Sequence, residues 1–309
     1  MEKLVFRYPG FARKAIAFTI DDGNVAMDEK FLDIVKPHGI RGTFNLCSDR
    51  LTKLTPEEYR KFYEGYEIAN HTAHHSRAME DGVTYEYAGD DEVFNLETAD
   101  HSKLYKTSIE GYYHFHGHAW LNISTTETYL AFAEESRRIL KEIFGENAAK
   151  DFVWPYFEQR NAAVKEGLIA AGYRSLRTVS TIGETTGFSL PEDRMKWTYN
   201  ADHSNLLHYA ERYEAYPDDG ELKFFSFGVH SWDFERLGKW DDLKTFAEKY
   251  GDRPETYYYA GVGEIFDYQD ATEKVEFTDT TVKNGSDMTV YFEYGGEKYT
   301  LAAGESLAL

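Results

Sequence analysis

Cysteine occurs once in the 309 residues, at Cys47, so the chain has no intrachain disulfide framework and no cysteine-based zinc knuckle. Positive charge is short as well. With 34 Lys and Arg against 54 Asp and Glu, the formal net charge is -20, and a field of that sign repels phosphate backbones and anionic lipid. Nucleic acid is thereby excluded as a partner. No apolar run approaches the ~20 residues that a bilayer-spanning helix needs, which excludes membrane insertion of that kind. Met1-Glu2-Lys3-Leu4 does not open a secretory leader, so the literal expectation is a cytoplasmic protein, or a secreted or periplasmic one if a leader was removed. Internal repeats and low-complexity linkers are also missing.

What is present is an ordinary folded composition, 42% hydrophobic and 28% charged, sufficient for a sizeable core. Aromatics reach 16%, with 24 Tyr and 21 Phe. Flat amphipathic rings pave sugar and peptide clefts, although an aromatic-rich core would use them equally.

Apolar β-branched runs alternate with helical spacing along most of the chain. Strands are expected at 15–20, 41–46, 66–70, 152–154, 176–179, 195–199, 224–229 and 257–260. Helices are expected at 27–37, 55–63, 126–144, 162–171, 206–213, 243–250 and 265–272. Ser124-Thr125-Thr126-Glu127 has capping-box spacing, and Ser136, Ile139, Leu140, Ile143 and Phe144 form the stripe of the helix behind it. This alternation predicts parallel strands with crossover helices, an α/β fold of seven or eight β/α units over residues 1–271. From about 272 to 309 the texture becomes that of a small C-terminal β appendage, with hairpin signals at Asn284-Gly285 and Gly295-Gly296. A polar insert at about 77–122 is too long for a simple connection and is expected to fold over one barrel face.

The chemistry-bearing residues stand at the ends of expected strands. Asp21-Asp22-Gly23 closes the first, where α/β barrels place catalytic groups, though a tight turn uses the same residues. Asn70-His71-Thr72-Ala73-His74-His75 closes another and offers imidazoles four residues apart. Two His and one carboxylate make an open site for a divalent ion, leaving a place for a water whose pKa zinc lowers toward ~7; His74 is the spare. Phe152-Val153-Trp154-Pro155-Tyr156 could present an aromatic wall and a backbone N–H, and the 224–229 strand delivers His230 and Trp232 to its end. His114, His116 and His118 of the insert could form a second metal site or line a cleft, a Tyr/His-rich lid being the plainer reading.

In chain order, Thr19-Ile20-Asp21-Asp22-Gly23, His71-Thr72-x-x-His75, Pro155-Tyr156 and His230 resemble the polysaccharide deacetylases, carbohydrate esterase family four, over roughly 15–271. The segments Gly228-Val229-His230-Ser231-Trp232 and Tyr258-Tyr259-Ala260-Gly261-Val262-Gly263-Glu264 look like a bacterial branch of that family. The resemblance implies a distorted (β/α) barrel. It also implies Asp21 as general base, Asp22, His71 and His75 as metal ligands, the Tyr156 N–H at the oxyanion, and His230 as general acid. Pro155, Tyr156, Trp154 and Trp232 are the substrate-binding candidates. The family's arginine before Pro-Tyr is missing, Val153 standing in its place, and Arg177 is the candidate to orient the base from another strand. Asp233 lies near the acid histidine.

The expected activity is removal of N- or O-acetyl groups from an acetylated carbohydrate with one divalent ion, zinc first and cobalt or nickel next. Two alternatives stay open: a hydrolase of a non-sugar amide on the same barrel, and a carbohydrate-binding protein without catalysis. Oligomeric state is not legible.

Overall fold

A computed structural model describes residues 3–115, 121–157, 160–178, 188–278 and 280–309. The first long strand, Lys14–Asp22, is buried along all nine residues, as a parallel strand covered on both faces should be. Its side chains divide by the period of two. Ile16, Phe18 and Ile20 pack outward with Phe31, Phe44 and Phe227, whereas Ala15 and Ala17 face Trp197, Phe224 and Phe266. Thr19 and Asp21 continue the second face. The neighbouring strand Gly42–Leu46 can approach because Gly42 has no side chain, since a Cβ there would stand 2.5 Å from the Phe18 ring.

Parallel pairing runs from Leu176–Arg177 through Phe152–Val153, Glu67–Asn70, Gly42–Leu46 and Lys14–Asp22 to Lys223–His230. Tyr257–Tyr259 pairs with the first three residues of Lys14–Asp22. Two further parallel bridges, Arg177 to Trp197 and Ala201 to Phe227, close the ring through the segment between them. The fold is a distorted (β/α) barrel, and the distortion is local. Where a strand is expected at 195–199, Arg194–Lys196 is a 3-10 turn capped by Asp193, and only Trp197 and Ala201 make ladder contacts. Val179 of the expected 176–179 strand lies outside the described residues.

The helices follow their sequence patterns with small changes at the ends. Pro56–Phe62 starts with a capping box between Thr55 and Glu58. The long helix Thr126–Phe144 is capped by Thr125, which accepts from the Thr128 N–H, and not by Ser124 as the box spacing implies. Ser124 is instead the end of the Leu121–Ser124 strand. That strand belongs to the insert, which folds as a five-stranded sheet with Arg77–Ala78, Glu86–Tyr87, Lys103–Lys106 and Tyr112–Phe115. Tyr112 anchors it by donating from its hydroxyl to the His74 carbonyl and packing on Phe132.

At the C-terminus, Gly295 and Gly296, both at positive φ, turn Val290–Tyr294 into Glu297–Leu301. Asn284-Gly285 makes no such hairpin. The Asn284 side chain donates to the carbonyls of Met288, Leu301 and Ala302, which ties a loop together. The N-terminal strand Val5–Arg7, absent from the sequence reading, completes the sheet by pairing antiparallel with Val290–Tyr294.

A buried carboxyl sets the position of the helix after His230. Asp28, fully buried on Val25–Val35, accepts from Ser231 Oγ at 2.6 Å and from the Tyr63 hydroxyl at 2.7 Å. Burial pushes its pKa up to about 7 against those two hydrogen bonds, with the charge of Asp22 adding to the rise. The folded state therefore holds a proton that the unfolded chain releases near pH ~4, and this contribution is lost as pH rises through about 7. Asp28→Asn, neutral throughout, is expected to gain on the order of a few kcal/mol relative to wild type between pH 4 and 8. Equal melting-temperature differences at the two pH values would contradict this.

Candidate active site

Register brings three side chains into one row. Asp21 lies opposite Asn45 on one neighbouring strand and opposite His230 on the other, all at the C-terminal ends of parallel strands. Asn45 Nδ2 donates to Asp21 Oδ1 at 2.7 Å. From the far side of the barrel, Arg177 Nη2 donates to both oxygens of Asp21, at 2.5 Å for Oδ2. Both residues are buried, Arg177 completely. Burial raises the Asp21 pKa, but the charge of Arg177, with that of His230 beyond, outweighs it and holds the carboxylate below its usual range. The guanidinium faces the Tyr199 ring at 5.2 Å, and Gly228 leaves room for that ring. A positive charge thus reaches Asp21 from the adjacent strand, on which Arg177 is the register partner of Val153.

Asp22 points the other way, its backbone at φ 85. His75 Nε2 stands 3.3 Å and His71 Nε2 3.7 Å from Asp22 Oδ1. That oxygen is buried and accepts no hydrogen bond from the described residues, an uncommon state for a carboxylate. Its partner oxygen contacts Arg50 Nη1 at 2.8 Å and Trp232 Nε1 at 3.3 Å. Burial would raise the Asp22 pKa, yet the charge of His230, with that of Arg50 beyond, pushes it below the carboxylate range.

His71 Nδ1 lies 2.8 Å from the Val153 carbonyl. A carbonyl only accepts, so Nδ1 carries the proton and Nε2 turns its lone pair toward Asp22. Burial depresses both imidazoles, that of His75 to about 3 with the help of His71, so both are neutral donors at neutral pH. A bare carboxylate oxygen beside two neutral Nε2 atoms is what a divalent ion requires, and the backbone carbonyl behind His71 is the usual outer partner of a metal-bound histidine. The residues present fit the ion.

His230 completes the row. Its Nδ1 lies 2.9 Å from Asp233 Oδ2, its Nε2 3.7 Å from Asp22 Oδ2, and its ring stacks on Trp232 at 4.4 Å. Burial lowers its pKa, but the Asp233 hydrogen bond and the charges of Asp22 and Asp21 raise it above the ordinary histidine value.

The loops that carry these groups are strained. Asp22, Thr72, His74, His75 and Tyr156 are five of the nine non-glycine residues with positive φ among the described residues. Such backbone persists only where the surroundings hold it, and it concentrates at functional sites. Tyr156, in the Pro155–Phe157 turn, sets its ring edge-on to His75 at 4.6 Å. His74 leaves the cluster, facing Asp49 at 3.6 Å and packing on Phe132.

Trp154 corrects the sequence reading. Its indole is 1% exposed and stacks on Tyr129 at 5.8 Å within the core, so it offers no face to a sugar. His114 sits on the insert sheet, bonded through Nδ1 to Asn122 and stacked on Phe94, while His116 and His118 lie outside the described residues. Asn45, Arg50 and Cys47 were missed, and Asp233 was named only as a sequence neighbour of the histidine. One available signal was register, because a barrel presents the C-terminal end of every strand to the site, including the Gly42–Leu46 strand.

Arg177→Ala leaves Asp21 as an uncompensated buried charge. We expect about 3–5 kcal/mol of destabilisation and an acid-limb loss of activity as the Asp21 pKa rises. Unchanged stability and turnover would remove the pairing from the account.

A family model described as polysaccharide deacetylase matches residues 9–176. Among solved structures, the chain is similar to a candidate polysaccharide deacetylase from Mycobacterium smegmatis, at 14% identity and a TM-score of 0.50, covering 88% of this chain and 96% of that one. It is also similar to the chitin deacetylase of the fungal pathogen Colletotrichum lindemuthianum, at 16% identity, TM-score 0.45 and coverage of 85% and 90%. A third is a pseudoenzyme of carbohydrate esterase family four from Bacillus anthracis, at 11% identity, TM-score 0.40 and coverage of 81% and 64%. At 14% identity the likeness to the Mycobacterium smegmatis protein speaks for the fold alone. No curated protein matches the chain. No helix among the described residues is long and apolar enough to cross a membrane.

Proposed function

The chain belongs to the polysaccharide deacetylase family, and from that premise we propose that it is a metal-dependent hydrolase removing N- or O-acetyl groups from a carbohydrate. The observation that carries the reading is Asp22 Oδ1, buried, unbonded and faced by two neutral imidazoles. Asp22, His71 and His75 would hold the ion, zinc first given two nitrogens and one oxygen, with cobalt or nickel suiting the same donors. When bound, the ion supplies polarisation of the acyl carbonyl and acidification of a water.

The remaining work falls to the protein. Asp21, kept ionised by Arg177 and Asn45, takes a proton from the attacking water. Asp22 is committed to holding the ion and cannot do this as well. His230, charged through Asp233, donates a proton to the departing amine or alkoxide. The Tyr156 N–H is assigned to the carbonyl oxygen as negative charge develops there. Trp232 and Tyr156 would line the approach of the sugar, whereas Pro155 is buried and opens the turn that carries Tyr156.

Acetate release from a panel of N- and O-acetylated oligosaccharides, set against small cyclic amides, tests the proposal. Release from a sugar supports it. Hydrolysis of the cyclic amides alone would move the protein to the other hydrolase reading. Sugar binding without acetate release would make it a binding protein.

A further inference from the structure

Cys47 has no role in the chemistry above, yet it lies inside the same constellation. It follows the Gly42–Leu46 strand directly, is fully buried, and points its Sγ at the His71 carbonyl at 3.3 Å. One ligand atom from each of Asp22, Cys47, His71 and His75 lies within 4.8 Å of the other three. Beside it, Asp22 Oδ1, on a side chain 6% exposed, has no hydrogen-bond partner among the described residues and belongs to the same group of ligand atoms. A thiol is a weak donor to a carbonyl, so little is lost when that contact is given up.

We propose that Cys47 is the fourth protein donor of this metal centre, giving an Asp, Cys, His, His set for zinc or cobalt. The proposal rests on the metal site of the preceding subsection and deepens it. Binding releases the thiol proton to solvent, and the soft thiolate favours zinc and cobalt over magnesium or manganese. Four protein donors would fill the coordination of a structural zinc site. At a hydrolytic site the thiolate therefore competes with water, and Cys47 sets how tightly the ion is held against how freely water reaches it. The spacing explains why sequence patterns pass over it, because a single cysteine 24 or more residues from each histidine matches no zinc signature.

The test is the absorption spectrum of the full chain loaded with cobalt, with Cys47→Ser and Cys47→Ala beside it. Wild type is expected to show a near-ultraviolet sulfur-to-cobalt charge-transfer band. Both variants should lose it and bind cobalt at least about tenfold more weakly, since even outer partners of metal ligands are worth that much. One bound cobalt in wild type without the band overturns the role of Cys47 and leaves the Asp, His, His site standing. No bound cobalt in wild type overturns both. The wild-type spectrum alone decides, so a variant that fails to fold does not leave the question open.

Discussion

Asp21→Asn is expected to lower deacetylation by about 10²–10⁴-fold while one metal ion per chain is retained. The substitution keeps the shape of the side chain but removes its basicity. It also leaves Arg177, fully buried, without its carboxylate, so a stability loss accompanies it. Metal content separates the two effects. Lost turnover with metal retained in a folded protein is the signature of a base outside the ligand set, whereas simultaneous loss of metal would make Asp21 a ligand. Retained turnover would transfer the base role to another group.

His230→Ala is expected to cost about 10²–10⁴-fold, most for substrates with poor leaving groups. The more telling result is the pH profile. His230 acts as an acid, so activity is present below its pKa and lost as pH rises through it. Burial alone would put that loss below the ordinary histidine range, but Asp233, with Asp22 and Asp21 beyond, moves it above. Since Asp22 shares its charge with a bound ion, Asp233 carries most of the shift in the loaded enzyme. Asp233→Asn should move the basic limb to lower pH with little change in metal content. Asp21, held ionised far below the working range, should contribute no acid limb in wild type and should acquire one in Arg177→Ala. A basic limb unmoved by Asp233→Asn would detach His230 from the acid role.

These results bear on what a sequence shows about a site of this kind. Asp21, Asp22, His71 and His75 were legible because each pair is local, sitting on the few residues where a buried strand gives way to a loop. Arg177 was reachable by a weaker argument, since an absent charge beside Val153 had to come from some other strand end. Asn45 was not, because nothing in Gly-Thr-Phe-Asn-Leu marks its amide as functional until register sets it opposite Asp21. Cys47 and Arg50 follow the same strand and were hidden for the same reason.

The fold shows a parallel division. Strands and helices with clean periodicity appear within a few residues of their expected ends, as with Thr126–Phe144. Failures occur where partners are distant or equivalent. Val5–Arg7 pairs with Val290–Tyr294 across nearly the whole chain, and three short residues give no periodicity. Ser124, Thr125 and Thr126 are all hydroxyl residues, so the choice of cap rests on the path of the insert strand. Trp154 illustrates the remaining ambiguity. An aromatic ring beside a catalytic turn reads alike whether it faces a sugar or the core, and packing against Tyr129 decides for the core.

All of the proposed chemistry depends on Asp22, His71 and His75 holding a metal ion. The most direct test is metal stoichiometry by mass spectrometry after zinc exposure and exhaustive dialysis, for wild type and His71→Ala side by side. About one zinc per wild-type chain is expected, and none in a His71→Ala protein whose circular dichroism is unchanged. Wild type that retains no zinc, or a folded His71→Ala protein that retains as much, would contradict it.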